Sequence, residues 1–479
     1  MLEARRHDAP FLACIAAANG QPAAHLIPRI HYTRPCVNPH SGSRDISGAV
    51  TIGDTHHVWQ LCDEGWHHAS STDFVHWTTG GVDLDEWPSG FVFADDEGAC
   101  AGFRGEEDGL VLRCATATTG AFWNFSAAEP MMNVSFYRFL PLDPFRPFRD
   151  RDGRYYVGVA LDACNDTTRE APCGAGGELR LWSSDRPRGG SWSRLPAPML
   201  ATNRTVFGDG REAHELVTVE YVGFGERRVL LNNAYFARGS TEYFLGAQAS
   251  GSPFVVESQS MLDWGEISPR DDGAGVGLGA LNRTRVDDPD GGRYGMARCL
   301  GAADMVLGTG RRVCVADISY GLPNASGLTT QALPRELSVD GARLLQRFAR
   351  ELRALRRGAV AVDGPGLYPG GRRTEVVATF AGSGAIVVLG GAEVVLDVER
   401  RIACVDATSQ GVAEVRCGPV DAAATYVVHV ICDHSLISVI VANTTAITAV
   451  ARPDQKASTD VRLSGALVSA DIYALAAAS

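Results

Sequence analysis

The chain has 479 residues, of which 45% are hydrophobic and 21% are charged, so it is long enough for two domains with substantial cores. Its net charge of -12 would repel phosphate backbones, and we therefore expect no nucleic-acid partner. Its apolar runs are all shorter than the about 18 residues of a membrane-spanning helix, so no membrane span is expected either.

Two features of the sequence indicate the secretory pathway. Seven of the 11 asparagines stand in Asn-x-Ser/Thr motifs, which predicts N-linked glycans. These asparagines are Asn124, Asn133, Asn165, Asn203, Asn282, Asn324 and Asn443. The 12 cysteines fit an oxidising compartment, and we expect disulfides between Cys164 and Cys173 and between Cys404 and Cys417. We thus predict an extracellular, cell-wall or vacuolar protein, with residues 1–26 as a signal peptide or a disordered N-terminus.

The first candidate for chemistry is Asp45, which lies in a turn rich in serine and glycine. The turn precedes a predicted hairpin of alternating apolar residues, so that Asp45 would lie at a strand end. Taken alone, an Asp in such a turn is typical of a residue whose side chain only bonds the nearby backbone. The chain continues through Gln60, Trp66 and a strand that ends in Trp77, and this longer pattern is more specific than the turn.

Short antiparallel strands separated by Gly, Asp and Pro turns are predicted from residue 27 to residue 345. Three segments in this part of the chain carry an Asp and then a tryptophan, at Trp77, Trp192 and Trp264. A repeated strand unit that buries an outer aromatic residue against its neighbour is typical of the radial blades of a β-propeller. The fold class is therefore predicted to be all-β.

From residue 346 onward the strands are longer and alternate more regularly, which indicates a β-sandwich. At the start of this region, Phe348, Leu352 and Leu355 have helical spacing and predict a short amphipathic linker helix. The strands of the sandwich are predicted over residues 375–380, 385–389, 393–398, 426–432, 436–441 and 467–475.

The run from Asp45 to Trp77 resembles the first propeller blade of glycoside hydrolase family 32, the invertases and fructan hydrolases. That family opens with Asn-Asp-Pro-Asn-Gly, then a Tyr-Gln strand and a Trp-Gly-His-Ala strand, and Asp45, Gln60 and Trp66 match the Asp, the Gln and the Trp. Further family landmarks match Leu142-Asp143-Pro144, Arg211-Glu212-Ala213, Pro334-Arg335-Glu336-Leu337 and Asp433-His434-Ser435. The resemblance covers residues 27–479 and implies a five-bladed β-propeller over 27–345 and a β-sandwich over 346–479.

The resemblance also implies a role for each matched residue. Asp45 would be the nucleophile, Asp143 would stabilise the transition state and Glu212 would be the acid/base of a retaining glycosidase. Gln60 and Trp66 would bind the sugar. The substrate would be sucrose or a fructan whose terminal β-D-fructofuranosyl unit is cleaved, or transferred when a sugar replaces water as the acceptor.

Several departures from the family pattern leave an alternative open. Leu142 stands where the family has Arg, Ala213 where it has Cys, and Cys100 and Ala101 where it has Trp and Ser. A catalytically impaired glycan-binding homologue of the same fold would tolerate these changes. All three carboxylates are nevertheless in family order, which favours the enzyme over the binding protein.

Other motifs give no cofactor or metal. The histidine pairs 56–57 and 67–68 cannot jointly chelate a metal, because adjacent residues on a strand face opposite ways. The glycine-rich run 273–279 lacks the spacing of a dinucleotide-binding loop, and no Gly-x-Ser-x-Gly motif indicates a serine hydrolase. We expect neither a metal nor a cofactor.

Overall fold

Strands make up almost all of the computed structural model. Within the residues that it describes, the chain forms 35 strands and two short 3-10 helices. The described residues are 28–35, 46–62, 65–85, 90–105, 109–115, 124–134, 144–162, 177–201, 205–208, 211–214, 218–233, 241–264, 293–301, 311–319, 328–412 and 415–478. The predicted all-β class is confirmed.

The first two blades are four-stranded antiparallel sheets in simple chain order, preceded by a short strand, β1 (Thr33–Pro35). Blade I contains β2 (Ile46–Ile52), β3 (Thr55–Cys62), β4 (Gly65–Ser71) and β5 (Thr78–Leu84). Blade II contains β6 (Gly90–Asp95), β7 (Gly98–Arg104), β8 (Gly109–Ala115) and β9 (Glu129–Asn133). The turn between β2 and β3 holds Gly53 at φ +60, a backbone conformation that favours glycine.

The next two blades are separated by a small hairpin. Blade III contains β10 (Phe145–Arg149), β11 (Tyr155–Asp162), β12 (Gly177–Ser184), β13 (Ser193–Arg194) and β14 (Leu200–Ala201). The hairpin is formed by β15 (Thr205–Gly208) and β16 (Arg211–His214). Blade IV contains β17 (Thr218–Phe224), β18 (Arg227–Asn233), β19 (Thr241–Ala247) and β20 (Val255–Met261).

The fifth blade combines strands from both ends of the propeller sequence. Blade V contains β21 (Arg293–Gly301), β22 (Arg312–Ser319), β23 (Leu328–Gln331), β24 (Arg335–Asp340) and β25 (Arg343–Phe348). The short strand β1 joins this sheet, with Thr33 opposite Thr330 and Pro35 opposite Leu328. The N-terminal strand therefore completes the last blade, which fastens the two ends of the ring together.

The inner strands of the blades form a closed ring. Strand β2 contacts β6 and β21, and β10 contacts β6 and β17, while β17 also contacts β21. The five blades therefore surround one axis, and the predicted five-bladed propeller is confirmed. Close approach between blades depends on small residues, because a Cβ at Gly48 of β2 would lie 2.3 Å from the Val92 side chain of β6.

The C-terminal part is a ten-stranded, sandwich-like sheet around a core of Val, Ile, Leu and Ala side chains. Its strands are β26 (Arg356–Val360), β27 (Gly366–Tyr368), β28 (Arg373–Val388), β29 (Ala392–Asp397), β30 (Ile402–Asp406), β31 (Val415–Pro419), β32 (Tyr426–Asp433), β33 (Leu436–Val441), β34 (Thr445–Val450) and β35 (Val461–Leu475). The predicted disulfide between Cys404 and Cys417 is confirmed, and it joins β30 to β31. The predicted pair Cys164 and Cys173 lies outside the described residues.

The predicted linker helix is a six-residue 3-10 helix, Arg350–Leu355, that buries Leu352 and Leu355. A second 3-10 turn, Thr408–Gln410, follows β30. The last propeller strand ends at Phe348 and the first sandwich strand begins at Arg356, while the domain limits drawn from the sequence stay predictions. None of the helices in the described ranges is long and apolar enough to cross a membrane.

Two buried polar clusters connect the propeller to the sandwich. In the first, Arg335 Nη2 lies 2.5 Å from Asp263 Oδ2 and donates to Thr448 Oγ1 at 2.8 Å. In the second, Asp433 accepts hydrogen bonds from the backbone N–H groups of Arg29, Ile30 and His31 at 2.6–2.9 Å. The sandwich is therefore tied both to blade V and to the segment that leads into β1.

Candidate active site

The side chains of the three predicted carboxylates lie outside the part of the chain that the structure describes. Asp45 and Asp143 lie outside the described residues. Glu212 is in β16, where its backbone pairs with Phe207, and its side chain is likewise outside the description. What the structure does fix are the strands that follow each residue: β2 begins at Ile46, β10 at Phe145 and β17 at Thr218.

The two predicted sugar-binding residues lie on opposite faces of blade I. Gln60 is opposite Ile46 in one register and His67 in the other, and it is 3% exposed. Trp66 is opposite Leu61, one residue along, so its side chain points to the other face of the sheet. Trp66 is 0% exposed and meets Phe103 of blade II edge to face, with ring centroids 6.0 Å apart. Trp66 therefore packs between blades I and II.

Both inner strands that follow the predicted aspartates contain a β-bulge. In β2, Ile46 is opposite Gln60 while Gly48 is opposite Trp59, so Ser47 is the extra residue. The Ser47 side chain is fully buried, and its hydroxyl has no hydrogen-bond partner among the described groups. Bulges are frequent next to active sites because they re-aim side chains.

The bulge in β10 re-aims an arginine. Phe145 is opposite Gly158 and Phe148 is opposite Tyr156, so three steps on β10 match two on β11. Arg146 lies inside this bulge, is 8% exposed, and donates from Nη1 to the backbone carbonyl of Ala49 at 3.0 Å. Arg146 was not among the residues predicted from the sequence, although Pro147 is a usable signal, because proline in a strand is confined largely to edges and bulges.

A buried polar chain runs through blade I and was also missed. His57 Nδ1 lies 2.9 Å from His68 Nε2, and His68 Nδ1 lies 3.6 Å from Asp83 Oδ2. Trp59 Nε1 donates to the same carboxylate at 3.0 Å. Burial, reinforced by His68 and the adjacent histidine, lowers the pKa of His57 to about 3. His57 is therefore neutral across the physiological pH range.

The described part of the chain contains no group of three or more His, Cys, Asp or Glu side chains arranged to hold a metal. His57 and His68 contact each other across two strands, whereas the sequence-adjacent pairs point to opposite faces, as the alternation of a strand requires.

Cys100 has a structural role that the sequence analysis did not predict. It forms a disulfide with Cys114, directly opposite in the β7–β8 register, and its side chain is fully buried. The position at which the family resemblance implies an aromatic sugar contact is therefore occupied by a cross-strand link inside blade II.

Comparison with known proteins establishes the fold. No known family profile matches the chain, and no curated protein matches its sequence. Solved structures match it over nearly its whole length: fructan 1-exohydrolase IIa from Cichorium intybus is 14% identical, with a TM-score of 0.70 over 96% of this chain and 99% of that one. Sucrose-6-phosphate hydrolase from Lactobacillus gasseri is 12% identical, with a TM-score of 0.69 over 99% of this chain and 98% of that one.

A third match carries the family name. A mutant of the glycoside hydrolase family 32 β-fructofuranosidase from Bombyx mori, in complex with sucrose, is 14% identical, with a TM-score of 0.67 over 98% of each chain. At this level of identity, the matches establish a shared fold. The chain has the fold of glycoside hydrolase family 32 enzymes, as the sequence resemblance implied.

Proposed function

We propose that the chain is a β-fructofuranosidase-like glycoside hydrolase that removes terminal β-D-fructofuranosyl units from sucrose or fructans. The observation that carries the proposal is the ring of inner strands. Asp45 directly precedes β2, Asp143 precedes β10 by two residues, and Glu212 lies in the hairpin that leads into β17. Equivalent strand starts of a propeller open at the same end of its axis, so three carboxyl groups at these positions can act on one sugar.

The proposed reaction is a retaining double displacement. Asp45 attacks the anomeric carbon of the fructosyl unit while Glu212 protonates the leaving oxygen, so that a covalent fructosyl-enzyme forms and the aglycone departs. Glu212 then removes a proton from water, which attacks the anomeric carbon and releases fructose and the Asp45 carboxylate. Asp143 binds the ring hydroxyls and stabilises the oxocarbenium-like transition state. A second sugar in place of water gives fructosyl transfer.

Sugar binding is proposed for Gln60, with less support for Trp66. Gln60 is opposite Ile46, which directly follows the proposed nucleophile, so the two positions are at the same level of blade I. Trp66 is completely buried against blade II, which supports a packing function. We therefore expect Gln60→Ala to raise the KM for sucrose, and the KM ratio expressed as a free energy should exceed the loss in the free energy of unfolding.

A glycan-binding homologue without catalysis is the second candidate. The observation that favours it is the disulfide of Cys100, because a buried cystine offers a sugar neither an aromatic face nor a hydroxyl. Leu142, beside the predicted Asp143, likewise carries no group that could hydrogen-bond a sugar or a carboxylate.

Sugar release separates the two candidates. The purified, glycosylated protein is incubated with sucrose, inulin and levan, beside an Asp45→Asn variant that keeps the side-chain volume but removes the nucleophile. We expect fructose from the wild type and a loss of at least about 10³-fold in kcat for the variant. Titration calorimetry with the same sugars provides the contrast, since binding without release in a folded wild type would establish the binding homologue instead.

We also propose that the protein passes through the secretory pathway and carries N-linked glycans. Asn124 is exposed, so that it would be accessible to modification. Digestion with a peptide N-glycosidase should lower the mass of the protein secreted from a eukaryotic host, and an unchanged mass would contradict the proposal.

A further inference from the structure

We propose that Arg146 is a positioning residue of the axial pocket. Its side chain joins the inner strands of blades III and I and supplies buried positive charge below the predicted carboxylates. The inference rests on the proposed function, because it gives Arg146 a part in the same reaction.

The first observation is the local geometry of β10. Phe145 and Phe148, on either side of the bulge, both pack on Tyr221 of blade IV, with ring centroids 5.8 and 4.3 Å away. Phe145 also lies over Gly158, where a Cβ would come within 1.9 Å of the ring. The aromatic side chains are thus fixed in the interblade core, and the extra residue of the bulge directs Arg146 elsewhere.

The second observation is the partner of the guanidinium. Arg146 Nη1 donates to the carbonyl of Ala49 in β2, which belongs to a blade that is not adjacent to blade III. Strand β6 contacts both β2 and β10, so it separates them around the ring. A side chain that connects β10 to β2 must therefore pass through the axial channel. The carbonyl is available because β2 is the end strand of its sheet and pairs only with β3.

The third observation is the position of this contact along the chain. Arg146 follows Asp143 by three residues, and Ala49 follows Asp45 by four. Because inner strands run through a propeller in the same direction, a bond between the two strands sets the residues before it at nearly the same height. At about 3.3 Å per residue, the contact lies within about 10 Å of the first residues of both strands, Ile46 and Phe145, at the end where the carboxylates are predicted. Arg146 thus forms the floor of the pocket.

The position of Arg146 has two consequences for the proposed reaction. The bond across the channel fixes the spacing of β2 and β10, and with it the geometry of the nucleophile and the transition-state stabiliser. A guanidinium buried in the low-dielectric channel also favours, by long-range Coulomb attraction, the ionised form of carboxyl groups at that end of the channel. Leu142 contributes neither effect. In this chain, the arginine follows Asp143 by three residues, at position 146, instead of preceding it as in the family pattern.

The test compares Arg146→Met, Arg146→Lys and Arg228→Met as full-length glycosylated proteins. Arg228 is a matched control, because it is 2% exposed, 3.7 Å from the buried carboxylate of Asp150, and in the second strand of blade IV away from the axis. For each protein, kcat and KM for sucrose are measured from about pH 3 to 8, and folding is monitored by thermal unfolding.

We expect Arg146→Met to lower kcat by about 10- to 100-fold with little change in KM, and to move the acidic limb of the pH profile upward by as much as about one unit. Arg146→Lys should restore the position of the limb but not the full kcat, since an ammonium cannot reproduce the geometry of the guanidinium. Arg228→Met should lower the melting temperature and leave the limb unmoved.

The opposite results overturn the inference. An active wild type whose acidic limb does not move in Arg146→Met, or moves equally in Arg228→Met, refutes the role of Arg146 and leaves the proposed function intact. If neither Arg146 variant folds, Arg146 is a residue of the core and the inference is wrong. A folded wild type that releases no fructose from sucrose, inulin or levan refutes the proposed function, and the inference falls with it.

Discussion

Replacement of Arg335 should destabilise the protein far more than replacement of an exposed arginine at the same domain joint. Arg335 is 1% exposed and its partner Asp263 is 0% exposed. Besides its ion pair with Asp263, Arg335 donates to Thr448 Oγ1 at 2.8 Å and to Gln346 Oε1 at 3.3 Å. Arg335→Ala leaves a buried carboxylate without its cation, and loss of one partner of a buried pair costs about 3–5 kcal/mol.

The control is Arg343→Ala. Arg343 and Asp421 also join the propeller to the sandwich, at 3.3 Å, but their side chains are 62% and 61% exposed. Exposed pairs contribute about 0–1 kcal/mol. Free energies of unfolding from urea titration of both variants, measured by tryptophan fluorescence and by circular dichroism, check the difference. Equal losses for the two variants would refute the reasoning, and so would a loss below about 1 kcal/mol for Arg335→Ala.

Two further predictions concern pH. Burial raises the pKa of Glu375, but the hydrogen bonds from Arg356 and His429 outweigh it and lower the pKa to about 2. The resulting contribution to the free energy of unfolding, about 3 kcal/mol, is present above the unfolded pKa near 4.5 and is lost as the pH falls toward 2. In urea titrations, Glu375→Gln should therefore be less stable than the wild type above this window, and the difference should disappear as the pH falls through it. Because the pKa of His57 is lowered to about 3, the unfolded state binds a proton at a higher pH than the folded state does. The free energy of unfolding of the wild type should therefore fall by a few kcal/mol between pH 6.5 and 3. In His57→Asn it should depend less on pH over this range if the buried imidazole is responsible.

The sequence predicted the order and type of the sheets well because strand alternation and turn residues are local signals. Strand β33 has the predicted bounds, 436–441, and the landmark Pro334-Arg335-Glu336-Leu337 lies at the start of β24 in blade V. The prediction was wrong at one place, where two separate strands, 375–380 and 385–389, were expected and the structure has one, β28. Strand β28 continues through this stretch, with Gly384 close to the Phe380 ring and a shift in register against β35. Glycine in a strand marks a bulge as readily as a turn.

What the sequence could not predict depends on contacts between distant segments. Alternation puts Gln60 and Trp66 on opposite faces, but it does not say which face lies against blade II. The repeat of Asp and tryptophan had a similar limit. Trp77 and Trp192 pack within propeller clusters, whereas Trp264 is 5% exposed and lies in the core of the sandwich. A local pattern therefore identified the aromatic residues, while tertiary packing decided what each one contacts.

The segment before β1 couples the sandwich to the geometry of the propeller axis. Burial raises the pKa of Asp433, but the hydrogen bonds from His31 and the backbone amides outweigh it, so the pKa lies below its usual value and the carboxylate stays ionised. This carboxylate holds residues 29–31, and the chain then enters β1, which completes blade V, before it reaches Asp45 and β2. Because β2 contacts β21 of blade V, loss of the hydrogen bonds to Asp433 would weaken the closure of the ring at β2, the strand that follows Asp45 in the sequence. Through the hydrogen bonds of Asp433 to residues 29–31, the sandwich therefore supports the part of the ring that precedes the proposed site. In sequence, it lies more than a hundred residues beyond the last predicted carboxylate.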